Sequence, residues 1–372
     1  MKKTIVAIAI AGLAASAGAS AANLYNNNGT NVDLTGRVKA TYTNGYDQDS
    51  NTNGSYSEFD GSGRLGFDLT QKLNDQWSAL ASAQWDVVGQ RADNGNGFQS
   101  RNIYAGFDGQ QYGKFTAGQN DGALYTGVLA TTDIFNEWGD VGNAAGGRQQ
   151  GIVTYDNSYM GLGIHLSAGA HASKAATTDS SIGYTSNADN FVNYATGNTT
   201  PGTTSLERQN VYAAALDYTI DMKDAGAVGL NGGYQVKNFD NTRDSQQKDW
   251  ALGANYTWNG LYAAAIYNQT KIDNSAAGAD NYKATGYELA LTYTIQQWKL
   301  LTGYNKLRAD SGDVGANAER DFVNEAYLGA QYNFTSNIFA YTEYKVAGKV
   351  TTTGANSIDP DNQMVVALQY NF

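Results

Sequence analysis

The sequence predicts an all-β fold, a 16-stranded antiparallel transmembrane β-barrel with long external loops, short periplasmic turns and a third loop folded into the lumen. The composition, with 43 Gly, 26 Tyr and only 2 Pro, favours short strands and turns over helices. Many segments alternate between apolar and polar residues over the ~9 to 11 positions that a tilted membrane-spanning strand needs. The connections between these segments are alternately short and long.

The N-terminus predicts a secretory signal peptide. Lys2 and Lys3 precede an apolar stretch at 5–13, and Ala19-Ser20-Ala21 has the small-residue pattern of a cleavage site. We therefore expect residues 1–21 to be removed and residues 22–372 to form one barrel domain. Loss of the two lysines changes the net charge from −11 to −13. The absence of cysteine excludes disulfides and thiol metal sites, and no metal or other cofactor is expected.

The strand signal is clearest at the C-terminus, where one face is apolar and the other carries Gln363, Gln369 and Asn371. The apolar face consists of Met364, Val366, Leu368, Tyr370 and Phe372. The same alternation recurs at 77–85, 212–220, 250–258 and 287–295. Aromatic residues fall at the ends of these faces, as expected if two aromatic girdles mark the two membrane interfaces.

The connections give the strand count. Tight turns are predicted at 74–75, 108–109, 156–158, 221–224, 259–260, 296–297 and 336–337. Long polar stretches are predicted at 44–58, 88–100, 119–148, 171–207, 238–248, 273–283, 308–321 and 347–361. Seven turns and eight long stretches make fifteen connections, and therefore sixteen strands. A barrel of 16 to 18 strands leaves an aqueous channel, so the count predicts a pore.

The third long stretch, 119–148, has an apolar and aromatic centre that a solvated loop does not need, which predicts that it folds inward. It carries Asp133 and Glu137. Four arginines lie on strands or strand ends, and we expect them to face the lumen because lipid exposure would cost each ~2 to 4 kcal/mol. These are Arg37, Arg64, Arg101 and Arg148. The pattern predicts a transverse field across a constriction, while salt bridges that only stabilise the barrel remain the alternative.

Six segments of the chain carry a family resemblance. They are the start at 22–37, Gly63-Arg64-Leu-Gly-Phe67, Arg101-Asn-Ile-Tyr-Ala-Gly106, Thr132-Asp133-Ile-Phe-Asn-Glu137-Trp-Gly139, Gly151-Ile-Val-Thr-Tyr155 and the terminal Phe372. In this order they resemble segments of the general, non-specific trimeric porins of Gram-negative outer membranes. The resemblance implies that Asp133 and Glu137 are the acidic constriction residues and that the four arginines form the basic wall. It also implies a homotrimer surrounded by outer-membrane lipid and lipopolysaccharide, and a C-terminal Phe372 read by the barrel-assembly machinery.

Three positions depart from the family pattern. Asn136 replaces a proline, Gly139-Asp140 replaces a glycine pair, and Gln119 replaces an arginine. The lost positive charge at Gln119, together with the acidic net charge of the chain, predicts a preference for cations.

The expected function is passive diffusion of small hydrophilic solutes and ions across the outer membrane, with no reaction catalysed and no nucleic acid bound. A substrate-selective channel of the sugar-porin type, or a porin that doubles as a surface receptor or adhesin, remains the alternative. An enzyme is not expected, because the only histidines are His165 and His171 and neither G-x-S-x-G nor H-E-x-x-H occurs.

Overall fold

The computed structural model describes residues 21–46, 55–89, 97–139, 141–172, 187–196, 207–310, 320–351 and 357–372. The predicted signal peptide lies outside this part of the chain apart from Ala21, so the cleavage site stays a prediction. Asp140 also lies outside it.

Strands make up most of the described residues. The first eight are β1 Ala22–Asn27, β2 Thr30–Tyr46, β3 Ser55–Lys72, β4 Ser78–Val88, β5 Phe98–Asp108, β6 Lys114–Asp121, β7 Arg148–Tyr159 and β8 Leu162–Gly169. The next eight are β9 Glu207–Asp221, β10 Ala227–Asp240, β11 Ser245–Trp258, β12 Leu261–Asn274, β13 Tyr282–Ile295, β14 Trp298–Ala309, β15 Asp321–Asn333 and β16 Ile338–Ala347. Then follow β17 Val350–Thr351, β18 Ser357–Ile358 and β19 Gln363–Asn371.

The strands β2 to β16 and β19 close into a barrel. Each strand pairs antiparallel with the next along the chain, and β19 pairs with β2, with Met364 opposite Asn44 and Asn371 opposite Arg37. β1 forms a hairpin with the start of β2 beyond the end of β19. The predicted closed, 16-stranded antiparallel barrel is therefore confirmed.

Alternation places apolar side chains outside and polar side chains inside, as β19 illustrates. Val366, Leu368 and Tyr370 are 44%, 53% and 47% exposed, whereas Gln369 and Asn371 are buried. Exposed apolar residues in a soluble protein would cost free energy, but on this surface hydrocarbon is the solvent.

Aromatic side chains form bands at both ends of the apolar outer surface. Near the long loops, Tyr267 packs against Trp250 and Tyr287, with ring centroids 5.3 Å apart in both pairs. Near the short turns, Tyr332 packs against Trp298 at 4.9 Å and against Phe334 at 5.1 Å. These are the positions at which rings with one polar edge are stable beside lipid headgroups.

One predicted turn is wrong. Residues 156–158 belong to β7, and the chain reverses at Met160 and Gly161, with φ of 52° and 85°. These positive φ values twist the turn in the same sense as the strands, and Gly161 adopts its value without strain. Asp156 stays in the strand, where its Oδ1 lies 2.7 Å from Nδ1 of His165 on β8. The other six predicted turns coincide with observed turns or overlap them, including Asn259-Gly260 with φ of 44° and 83°.

The fifth predicted long stretch, 238–248, is also wrong, because only 241–244 separate β10 from β11. The ladder continues outward to the pair Asn238 and Gln246, whose side-chain amides are hydrogen-bonded at 2.7 Å. The polar composition of 238–248 is typical of a loop, but paired amides outside the membrane extend these two strands to 14 residues each. That length exceeds the ~9 to 11 residues needed to span the bilayer.

Two α-helices occur in the described part of the chain, α1 Ala123–Gly127 and α2 Asn187–Thr196. Neither is long and apolar enough to cross a membrane. α1 begins the third loop, and α2 belongs to the fourth loop, for which no element was predicted.

Candidate pore constriction

The third loop, called L3 here and described at 122–139 and 141–147, folds against the inner wall of the barrel. Leu124 and Leu129 are buried with the inward-facing Ala215 of β9, Ala251 of β11 and Ile266 of β12. The apolar centre that predicted inward folding is therefore the surface that holds L3 to the wall, and that prediction is confirmed.

A buried carboxylate on β13 holds the middle of L3. Glu288 is fully buried and accepts hydrogen bonds from Nδ2 of Asn143 at 2.8 Å and from the hydroxyl of Thr132. The loop backbone passes so close that a Cβ on Gly142 would lie 2.6 Å from Cγ of Glu288 and 2.8 Å from the carbonyl oxygen of Tyr287. Only glycine allows this approach, and the carboxylate in turn satisfies loop donors that would otherwise be buried unpaired.

A second buried carboxylate, on β16, holds the tip of L3. Oε1 of Glu343 accepts hydrogen bonds from the backbone N–H of Asn136 at 2.8 Å and from its Nδ2 at 3.0 Å. Oε2 accepts from the backbone N–H of Glu137 at 3.1 Å. Asn136 is the position at which the sequence departs from the proline of the resembled family, and proline would supply neither of these two donors.

Aromatic side chains also hold the tip of L3 against the barrel wall. The ring of Phe135 lies 5.1 Å from the ring of Tyr327 on β15, and that of Trp138 lies 6.4 Å from it. Nζ of Lys345 lies 5.5 Å from the ring centroid of Trp138. The tip is therefore fixed by hydrogen bonds, ring contacts and a cation–π contact together.

The two acidic residues predicted for the constriction both lie on L3 but have different partners. Oε1 of Glu137 lies 2.7 Å from Nζ of Lys39 on β2 and also accepts the hydroxyl of Tyr341 on β16. Oδ2 of Asp133 accepts the hydroxyl of Tyr125 within L3 at 2.6 Å. Glu137 is thus paired with a cation of the wall, and Asp133 accepts a hydrogen bond from a neutral donor of its own loop.

The structure brings three of the predicted arginines together on neighbouring strands. Arg37 on β2 lies opposite Arg64 on β3 in the ladder. Asp86 on β4 bridges Arg64 and Arg101, accepting from Nε of Arg64 at 2.8 Å and from NH1 of Arg101 at 2.9 Å. No described carboxylate forms an ion pair with Arg37. We call the three arginines, Arg37, Arg64 and Arg101, the basic cluster.

A β-bulge brings Arg101 and Asn102 to the lumen side by side. The pairing of β4 and β5 shifts so that both residues lie opposite Gln84 alone. Nε of Arg101 donates to Oε1 of Gln84 at 3.0 Å, and Nε of Arg148, the first residue of β7, donates to Oδ1 of Asn102 at 2.7 Å. A β-bulge changes the direction in which side chains point. Here it places Asn102, the hydrogen-bond acceptor of Arg148, directly beside Arg101 of the basic cluster.

Comparisons with known proteins agree with this architecture. The model of the Gram-negative porin family matches residues 6–350. The chain belongs to the Gram-negative porin family. Outer membrane porin PhoE of Escherichia coli K12 is 26% identical to it over 388 residues, which cover 100% of both chains.

Solved structures show the same fold. Salmonella typhi OmpF, in complex with daunomycin, matches with a TM-score of 0.72 and 18% identity, covering 94% of this chain and 100% of that chain. An anion-selective porin from Comamonas acidovorans matches with a TM-score of 0.67 and 13% identity, covering 92% of this chain and 100% of that chain.

This porin therefore lies in the bacterial outer membrane and forms a water-filled channel through which small hydrophilic solutes pass by diffusion. It is a channel protein and not an enzyme.

Three residues that contact the predicted site residues were not themselves predicted: Lys39, Asp86 and Tyr341. Lys39 lies two residues after Arg37 and so shares its phase, yet its pairing with Glu137 depends on where L3 ends, which no periodicity reveals. Asp86 lies in the lumen-facing phase of β4, so the alternation of that strand could have identified it as a pore residue. Tyr341 gave no signal, because aromatic residues were expected to face lipid.

Proposed function

We propose that L3 and the opposite wall form the selectivity-determining constriction of this porin and that it prefers cations. The acidic side consists of Asp133 and Glu137, and the basic side consists of Arg37, Arg64, Arg101 and Arg148. The observation that supports this is their segregation: both carboxylates are on a loop seated against β9 to β16, while the arginines are on β2, β3, β5 and β7.

The field of such a constriction biases passage without trapping ions. Two unit charges ~10 Å apart interact by roughly 0.4 kcal/mol in bulk water and by ~1.7 kcal/mol at an effective dielectric of 20. A diffusion channel needs interactions in this range, because stronger binding would slow the release of the solute.

The sign of selectivity depends on charge balance and not on the fold, since the Comamonas acidovorans porin of the same fold is described as anion-selective. In this chain Asp86 offsets part of the basic cluster. Gln119, where the resembled family has an arginine, donates from Nε2 to the carbonyl oxygen of Arg101, so a neutral side chain borders the cluster. Both features, with the net charge of −11, favour cations.

The test is the reversal potential in a KCl gradient across a planar bilayer. We expect the wild type to prefer K⁺ and D133N/E137Q to lose much of that preference, because two lumen carboxylates are neutralised and Lys39 is left without its partner. Q119R should shift the reversal potential in the same direction by adding a charge beside Arg101. D75N is the matched control, since Asp75 is a fully exposed turn residue paired with Lys72. An unchanged reversal potential in both variants contradicts the assignment.

We further propose that the porin is a homotrimer, contacts lipopolysaccharide and is recognised by the barrel-assembly machinery through Phe372. The C-terminal residue supports the last of these. Its backbone N–H and C=O pair with Gly36 of β2 at 3.0 and 2.7 Å, which places it at the seam where the barrel closes. A residue at that seam would be available for recognition until β19 pairs with β2.

A further inference from the structure

The inner wall of the barrel is apolar at its external end, where a water-filled vestibule would favour polar side chains. Phe239 of β10, Ile272 of β12, Leu307 of β14 and Val323 of β15 all occupy inward-facing positions near the long loops. All four are at most 1% exposed. Something other than water therefore covers this part of the wall.

The covering element is α2 of the fourth loop. Phe191, Val192 and Ala195 of this helix have no exposed surface and belong to one cluster with the four wall residues. The ring of Phe191 meets that of Phe322 edge-on at 5.4 Å.

The wall is locally adapted to receive this helix. The pairing of β14 and β15 skips Phe322, since Leu307 pairs with Val323 and Arg308 with Asp321. A bulge at this position turns the ring of Phe322 inward, where it also lies 6.0 Å from the ring of Tyr194. Without the bulge, Phe322 would have the phase of the lipid-facing residues.

The C-terminal end of α2 is hydrogen-bonded to the barrel rim. The carbonyl oxygen of Ala195 accepts from NH1 of Arg243 at 3.0 Å and from Nδ2 of Asn274 at 2.9 Å. The carbonyl oxygen of Thr196 accepts from Nδ2 of Asn241 at 3.2 Å. These donors satisfy carbonyls that a helix end leaves free, and the Arg243 guanidinium complements the negative end of the helix dipole.

The returning limb of L3 joins the same cluster. Ala144 is buried in it, and Val141 packs against it. α2 therefore lies between the external rim and L3, on the β10 to β15 side of the lumen. Among the described residues, the cluster around α2 does not extend to the strands that carry the basic cluster.

We propose that α2 is a second size filter, in the external vestibule, that solutes meet before the L3 constriction. A 16-stranded barrel with strands ~4.8 Å apart and tilted by ~40° has a backbone diameter of roughly 32 Å. Side chains on both walls leave about 20 Å, and a helix ~10 Å across removes about half of that width. The filter acts on solute size and needs no charged group, so it depends on channel activity but not on the charge assignment of the constriction.

The docked position of α2 can be tested with a single thiol, because the natural chain has no cysteine. A195C places a thiol at a site with no exposed surface, whereas T242C places one on the exposed loop between β10 and β11. We expect a water-soluble thiol reagent to label T242C readily and A195C at least tenfold more slowly. Equal labelling rates would show that α2 does not occupy the vestibule and would overturn the proposal.

The filter itself is tested by F191A/V192A, which removes the two apolar anchors but keeps good helix formers. N193A on the same helix is the control, since Asn193 is half-exposed. In liposomes, we expect F191A/V192A to raise the permeation of a trisaccharide relative to a monosaccharide about twofold or more, because the vestibule widens by about the diameter of a helix. N193A should match the wild type.

Labelling of A195C in the F191A/V192A background shows whether the helix has left the wall. Fast labelling with an unchanged sugar ratio would overturn the filter. Slow labelling with an unchanged sugar ratio would mean that the helix is still docked, and F191D/V192D then replaces that variant. Two carboxylates cannot stay buried against the apolar wall, so this helix must leave it. An unchanged sugar ratio in F191D/V192D would likewise overturn the filter. A protein that passes no sugar at all would instead contradict the channel function.

Discussion

Asp86 decides how much positive charge the basic cluster presents to a passing ion. Its two oxygens are shared between Arg64 and Arg101, and its side chain is 3% exposed. A buried carboxylate with two cationic partners satisfies all three groups, whereas removing its charge leaves two arginines to repel each other and Arg37.

D86N is therefore expected to shift the reversal potential towards anions and to destabilise the barrel by about 1 to 3 kcal/mol, as for buried groups that lose their partners. The measurements are the reversal potential in a KCl gradient and the temperature at which the folded barrel unfolds in detergent. D68N is the control for stability, because Asp68 lies on β3 in the phase of Arg64 but is exposed and forms no ion pair with the cluster. Equal losses of stability in D86N and D68N would contradict the proposed role of Asp86.

The residues of the constriction were largely predictable, but their pairings were not. The cost of exposing an arginine to lipid predicted that Arg37 and Arg64 face the lumen, and charged residues on that face are the expected lining of a pore. The partner of Glu137 depended on how far L3 reaches across the lumen, which is set by tertiary contacts such as those of Asn136 with Glu343. The position of Arg101 beside Asn102 in the lumen depends on the β-bulge opposite Gln84, and no local sequence pattern marks that bulge.

L3 is held against the barrel wall by two buried carboxylates. Glu288 holds the middle of the loop and Glu343 holds its tip. Because each accepts hydrogen bonds from several loop donors at once, the two carboxylates together hold L3 against the wall.

E343A removes the three hydrogen bonds that Asn136 and Glu137 make to the wall. At a net ~0.5 to 1.5 kcal/mol each, their loss should weaken docking of the tip by about 1.5 to 4.5 kcal/mol. We expect noisier single-channel currents, because the tip then leaves its seat for part of the time. E343Q keeps one acceptor oxygen and should be intermediate. Currents of E343A as quiet as those of the wild type would show that the tip is held by other contacts.

Elements were predicted best where a single physical signal dominated. Asn259-Gly260 gave the correct hairpin turn because both residues tolerate positive φ. Asp156 to Ser158 looked like a turn by composition, yet these residues have partners across the β7–β8 ladder. The α2 helix was missed because its apolar residues are few and its partners, such as Phe322, are distant in sequence.

At the scale of the whole molecule, one closed sheet separates hydrocarbon from water, and two loops narrow what it encloses. L3 crosses towards β16 and β2, and α2 covers the external wall of β10 to β15. The fold follows from alternation and connection length, both readable from the sequence. The amount of free lumen does not follow from them, because it depends on where loops dock.

Planar-bilayer recording of the purified protein tests most directly whether a wet channel runs through this barrel. We expect discrete current steps whose conductance rises almost in proportion to KCl concentration, since ions cross a water-filled lumen without tight binding. A trimer should in addition close in three equal steps. A protein that adds no conductance to the bilayer, or whose current saturates at low salt, would contradict a wet diffusion channel.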